Sequence, residues 1–180
     1  MSKLYVYLMR SRNKDNKDIE HFKERTKVIL EYEENEDKIN LAFEKFVKEG
    51  VKGEKSRLYK SVNSRNENII KRELFIRFLR DSPSVTKINR VLASVAQSYV
   101  TRDEKKWLFD FDETDITVLN NFLSDIPCEN PCENTVYQTP NGYAIVVEHG
   151  FDTRELMKKY SEYDITLKKD DMLFLRIESC

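Results

Sequence analysis

Trp107-Leu108-Phe109-Asp110-Phe111-Asp112-Glu113-Thr114 is the stretch on which the reading of this 180-residue chain turns. In an extended strand, side chains alternate between two faces. Trp107, Phe109 and Phe111 then share one face, and Leu108, Asp110 and Asp112 share the other. Three large rings in a row make the first a core face. The second carries two carboxylates, about 6.5–7 Å apart along the strand. Two like charges on a half-buried sheet are costly unless a cation lies between them. Their hard oxygen donors favour magnesium, manganese or calcium over zinc. The plainer alternative is that the strand ends here, with Asp112 to Asp115 solvated or capping the next helix.

Downstream of this strand the pattern reads element by element. Thr114 or Asp115 caps a helix with the stripe Ile116, Leu119, Phe122/Leu123 and Ile126. Pro127 to Asn134 reads as loop. Val136 to Gln138 and Tyr143 to Glu148 are strands around the turn Pro140-Asn141-Gly142. Asp152 or Thr153 caps a short helix through Leu156, Met157 and Tyr160, and Ile165 to Leu167 and Met172 to Ile177 are strands turning at Lys169-Asp170-Asp171. From Trp107 the order is β-α-β-β-α-β with a final strand, the split-βαβ or RRM-like arrangement. Its first and third strands are central, with helices on one face and the other face open. Asp110 and Asp112 then lie on the open face beside Tyr143 to Glu148. Asp170 and Asp171 are within reach of it as a third carboxylate, with Lys168 and Lys169 placed to bond or screen the acids.

Upstream, Leu4 to Met9 is apolar on both faces and reads as a buried strand. Asp15 to Gly50 is expected to be mostly helical, with Ile19, Phe22, Thr26 and Ile29 on one stripe and Ile39, Ala42/Phe43 and Phe46/Val47 on another. Arg57 to Asn63 alternates like a strand. Asn66 to Asp81 and Val85 to Tyr99 read as amphipathic helices broken at Pro83. The fold class expected is α+β: a mostly helical N-terminal lobe over residues 1–104 and an RRM-like antiparallel core over 105–180.

Composition narrows the function classes. With 39% hydrophobic and 35% charged residues, and with nine Tyr and ten Phe, the chain is polar but not of disordered composition. No apolar run approaches the roughly 20 residues of a membrane span, and Met1 to Met9 does not read as a signal peptide. Cys128, Cys132 and Cys180 suit a reducing cytoplasm, and two His in the chain make Cys128-x-x-x-Cys132 a poor zinc site. The net charge of −1 hides an asymmetry: residues 52–90 hold eleven Lys/Arg against four acids, and residues 103–135 hold nine acids against two Lys. A basic segment beside an acidic strand suits a phosphate-handling protein, one part drawing the anion and the other holding a cation. Solvated helix faces account for the same basic residues equally well.

Taken together, Asp110-Phe111-Asp112, Thr139-Pro140-Asn141-Gly142-Tyr143-Ala144-Ile145-Val146 and the acid after Lys168-Lys169 resemble the archaeo-eukaryotic primase superfamily, in its small phage and mobile-element forms. Arg57-Leu58-Tyr59-Lys60-Ser61-Val62-Asn63-Ser64-Arg65 resembles a segment preceding the core in such proteins. The resemblance covers about residues 105–178. It implies two divalent metals, Mg2+ or Mn2+, on Asp110, Asp112 and Asp170 or Asp171, with nucleoside triphosphate and nucleic acid as partners. It also implies a metal-dependent nucleotidyltransferase in a prokaryotic or phage-infected cytoplasm. A His that contacts nucleotide phosphates in the family falls here on Ala144, and His149 is offset to the opposite strand face. Arg57, Lys60, Arg65 and Asn141 are the candidates for phosphate or nucleic-acid contact in its place.

Two other readings use the same residues. Asp110-Phe111-Asp112-Glu113-Thr114 also looks like the Asp-x-Asp-x-Thr signature of haloacid-dehalogenase-type phosphatases, with Asp110 as nucleophile, Asp112 as acid/base and Lys168 with Asp170/Asp171 as later motifs. That fold is a parallel sheet, whereas the residues after Thr114 read as hairpins. The third reading is a non-catalytic descendant that binds nucleic acid or a protein partner, which Ala144 suits.

Overall fold

Among the residues described in a computed structural model, 2–127 and 135–180, the chain forms two four-stranded antiparallel sheets. The first contains β1 (Leu4–Ser11), β2 (Arg25–Tyr32), β3 (Lys55–Ser61) and β8 (Met172–Ser179), in the order β2-β1-β3-β8. The second contains β4 (Lys106–Phe111), β5 (Thr135–Thr139), β6 (Gly142–Glu148) and β7 (Ile165–Lys168), in the order β5-β6-β4-β7. With α4 (Ile116–Asp125) after β4 and α5 (Arg154–Lys159) after β6, the second sheet has the RRM-like arrangement expected. No described helix is long and apolar enough to cross a membrane.

The aromatic face of β4 packs as its alternation requires. Phe109 and Phe111 are fully buried with Leu119 and Phe122 of α4, Ile145 and Val147 of β6, and Leu156 and Tyr160 of the α5 region. Phe122 lies edge-on to Phe109 and Phe111 at 5.1 and 5.5 Å. Asp115 caps α4, its carboxylate accepting from the Thr117 amide at 2.7 Å. The loop expected at Pro127 to Asn134, with Cys128 and Cys132, lies outside the described residues except for Pro127.

Three expectations are corrected. Residues 25–32 do not continue a helix: Arg25–Tyr32 is β2, paired along β1 from Leu4↔Tyr32 to Ser11↔Arg25. Val28 and Leu30 serve one face of that sheet, against α2 (Glu67–Asp81) and α3 (Ile88–Ala96), while Ile29 serves the other, against α1 (Glu36–Lys48). The final strand also leaves the core that precedes it. β8 pairs with β3 along Lys55↔Ser179 to Ser61↔Met172, so the chain's last strand completes its first sheet.

The third correction follows from the departure of β8. The face of the RRM-like sheet opposite the helices is partly covered, not open. Leu108 and Ala144 are buried against Val62 and Leu173, with Val146 and Leu175 beside them. Where this small cluster ends, at the Asp110 end of β4, a cleft remains between the two sheets.

Candidate functional site

The cleft has a volume of about 420 Å3, within the range of small-molecule sites. One wall is the RRM-like sheet and its turns, carrying Asp110, Asp112, Asn141, Lys168 and Asp171. The other is the first sheet and the turn after β1, carrying Arg10, Arg12, Lys14, Arg57, Tyr59 and Phe174. Strand alternation places each set. Leu8, Arg10 and Arg12 follow one another at every second residue along β1 and its end, and Arg57 and Tyr59 do the same on β3.

On the acidic wall, Lys168 Nζ donates to Asp110 Oδ2 at 2.7 Å and lies 3.2 Å from Asp171 Oδ2. Burial works against the Lys168 charge, but its bond to Asp110 and the charges of Asp110 and Asp171 hold the ammonium above its ordinary value. Partial desolvation, with Asp110 and Asp164 nearby, raises the Asp112 carboxyl above the usual carboxylate range, against the opposing pull of Lys14 and Lys168. Lys14 belongs to the other wall, so the two walls act on one another across the cleft.

The turn between β5 and β6 closes this end. A Cβ on Gly142 would lie 2.2 Å from the Phe111 carbonyl oxygen and 2.7 Å from that of Glu113. Only glycine lets the Pro140-Asn141-Gly142 turn sit against the strand end that carries Asp112. Asn141 reaches the cleft for this reason.

On the basic wall, Asp15 organises two guanidinium groups. Its carboxylate accepts from Arg12 Nε at 2.8 Å, Arg12 Nη2 at 3.1 Å and Arg57 Nη2 at 2.6 Å. Burial alone raises the Asp15 carboxyl, but Arg12 and Arg57 together hold it below the usual carboxylate range. Arg10 pairs with the exposed Glu24 at 3.3 Å.

The sequence candidates therefore divide. Asp110, Asp112, Asp171, Asn141 and Arg57 meet in the cleft. Asp170 does not join them: its carboxylate takes a two-pronged bond from Arg65 at 2.9 and 3.1 Å and a third from Asn63 Nδ2 at 3.1 Å. Arg65 is thereby spent on structure, its side chain 3% exposed. Lys60 faces elsewhere, pairing with Glu33 at 2.7 Å and lying over the Tyr5 ring. Ala144 stands opposite Asp110 in the strand register and is buried. His149 lies edge-on to Trp107, away from the site.

Arg10, Arg12 and Lys14 were not legible as site residues. The signal was the period-two spacing Leu8, Arg10, Arg12, which gains meaning only once β1 is known to face β4. The oxygen donors of Asp110, Asp112 and Asp171 fit a hard divalent cation in kind. Among the described residues no three ligating side chains already converge on one point. Lys168 holds the position where Asp110 and Asp171 share a positive charge, so a metal ion there has to displace it. The chain matches no family model, and no curated protein or solved structure matches it significantly.

Proposed function

We propose that this cleft binds a nucleotide or nucleic-acid phosphate together with a divalent cation, and that the protein is a primase-polymerase-like nucleotidyltransferase. One observation carries the reading: a single cleft between two sheets presents Asp110, Asp112 and Asp171 on one wall and Arg10, Arg12, Lys14 and Arg57 on the other. Phosphoryl-transfer chemistry needs such a division, because the metal requires anionic ligands and the phosphates require cationic ones. Asp110 and Asp112, with Asp171 once Lys168 moves aside, are the residues that would hold Mg2+ or Mn2+. The metal's part would be to activate the attacking hydroxyl and neutralise the leaving group. The chain's own part is to fix the acids on a rigid strand, keep the phosphates on the opposite wall and exclude water through the Leu108–Ala144–Leu173 cluster.

The test is manganese-dependent extension of a primed template. Activity in the wild type that disappears in Asp110→Ala/Asp112→Ala supports the reading, whereas no incorporation with either metal removes the enzyme claim.

A second reading is a non-catalytic phosphate-binding descendant. The Lys168–Asp110 pair favours it, since an internal cation already satisfies the acid, and so does Ala144, which offers no donor beside Asp110. Salt-dependent binding of labelled nucleic acid without incorporation is its signature. The phosphatase reading loses its structural support: its fold needs a parallel sheet, and the strands around Asp110 are antiparallel.

A further inference from the structure

We infer that the polyphosphate tail of a nucleotide is gripped from the first sheet, by Arg12, Lys14 and Arg57, and that this grip works without metal. The inference deepens the proposed function and rests on its assignment of the cleft, but it concerns the wall opposite the acids.

Arg57 is the centre of the argument. Its side chain is 13% exposed, it spends Nη2 on Asp15, and its buried Nε–H has no acceptor among the described residues. A buried guanidinium N–H with no partner is uncommon and costly. Its Cζ also lies 5.6 Å from the centroid of the Phe174 ring, which limits how it can turn. Arg12 donates to both oxygens of the same Asp15 carboxylate and shares Oδ1 with Arg57. One acid therefore sets two forks while cancelling only one of their two charges. Lys14, in the turn after β1, lines the same cleft as Arg12 and Arg57 and makes no ion pair among the described residues.

Preorganised forks suit the oxygens of a phosphate chain, which they bind in pairs. Among the described residues lining the cleft, the RRM-like sheet has no comparable group to offer. Ala144 has no donor, and Lys168 is committed to Asp110 and Asp171. The anion's contacts must therefore come from the facing wall. An immobile cation pair there costs little to organise when the ligand arrives.

The experiment is isothermal titration of inorganic tripolyphosphate into the full chain in EDTA. Wild type is expected to bind, Lys14→Gln to weaken binding several-fold, and Arg12→Gln/Arg57→Gln to weaken it tenfold or more. Asp110→Asn/Asp112→Asn is expected to bind as well as wild type or tighter. Lys14 is exposed and makes no ion pair among the described residues, so its substitution tests the site even where the arginine variants fail to fold. Absence of binding in EDTA, or equal binding by Lys14→Gln and wild type, overturns the inference. Displacement of the tripolyphosphate by an oligothymidylate without terminal phosphates also overturns it, reassigning the wall to a strand backbone. Manganese titrations separate this from the catalytic reading. Tripolyphosphate binding without manganese binding defeats only the metal chemistry, and the converse defeats only the clamp.

Discussion

Asp170 and Asp171 are neighbours in a turn with opposite surroundings. Asp170 is 7% exposed and locked to Arg65, whereas Asp171 faces the cleft and Lys168. Removing one partner of a buried pair leaves the other charge uncompensated, which costs about 3–5 kcal/mol. Asp170→Ala is therefore expected to lower stability by that order in urea unfolding, while Asp171→Asn leaves the unfolding midpoint near wild type and weakens manganese binding. The sequence left these two acids undecided because a turn has no side-chain period to say which one points where. Asp15 makes a prediction of a different kind. Its carboxyl is held below the usual range in the folded chain, so the unfolded chain binds the proton first as pH falls. The stability it adds is fully present above the unfolded value of about 3.9 and is lost as pH drops through the lower folded value. Asp15→Asn should then cost about 1–3 kcal/mol at neutral pH, with the gap from wild type closing in acid. A gap that stays constant down to pH 2 would show that the Arg12 and Arg57 bonds are not what Asp15 contributes.

At the scale of elements, the RRM-like half was readable because each piece carries its own signal. β4 alternates rings with acids, α4 has a stripe and a capping Asp115, and β5 and β6 flank a turn sequence. β2 was not readable, and the reason is its burial on two sides. Val28, Ile29 and Leu30 are consecutive, and each is claimed by a helix layer above or below the sheet. A strand covered on both faces loses the alternation that distinguishes it from a helix. The β5–β6 turn shows how an element can matter to a site it does not line with charge. Gly142→Ala places a methyl group within 2.2 Å of the Phe111 carbonyl oxygen. Either the turn or the end of β4 has to move, at a cost of about 1–3 kcal/mol by analogy with overpacked cores. Because Asp112 follows Phe111 directly, manganese affinity should fall by more than the stability loss alone explains. Affinity that is retained in a folded Gly142→Ala protein would mean that the turn yields and the strand does not.

For the whole molecule, the decisive fact is the closure of the first sheet by the chain's last strand, a pairing between residues 55–61 and 172–179. No local pattern announces so distant a partner, and with it the facing wall of the site stayed hidden. The segment Ser61 to Arg65, whose Arg65 was a candidate for phosphate contact, instead joins the two sheets. Asn63 is fully buried there. Its Nδ2 donates to the Lys106 carbonyl and to Asp170, both at 3.1 Å, and its Oδ1 accepts from the Lys106 amide at 2.6 Å. The Val62 amide adds a bond to the Asp171 carbonyl at 2.9 Å. Side by side with the small Leu108–Ala144–Leu173 cluster, this polar seam sets the distance between the acidic and the basic wall. Asn63→Ala strands the Lys106 backbone groups and takes one bond from Asp170, so a loss of about 2–4 kcal/mol is expected from unsatisfied buried groups. Asn63 touches neither wall's functional groups. If the walls are held in register by this seam, manganese and tripolyphosphate binding should weaken together in the folded variant, each severalfold, and their coupling to one another should fall. A variant that is less stable by calorimetry yet keeps both affinities and their coupling would place the registration in the apolar cluster instead, and Leu173→Ala would then be the substitution that separates the walls.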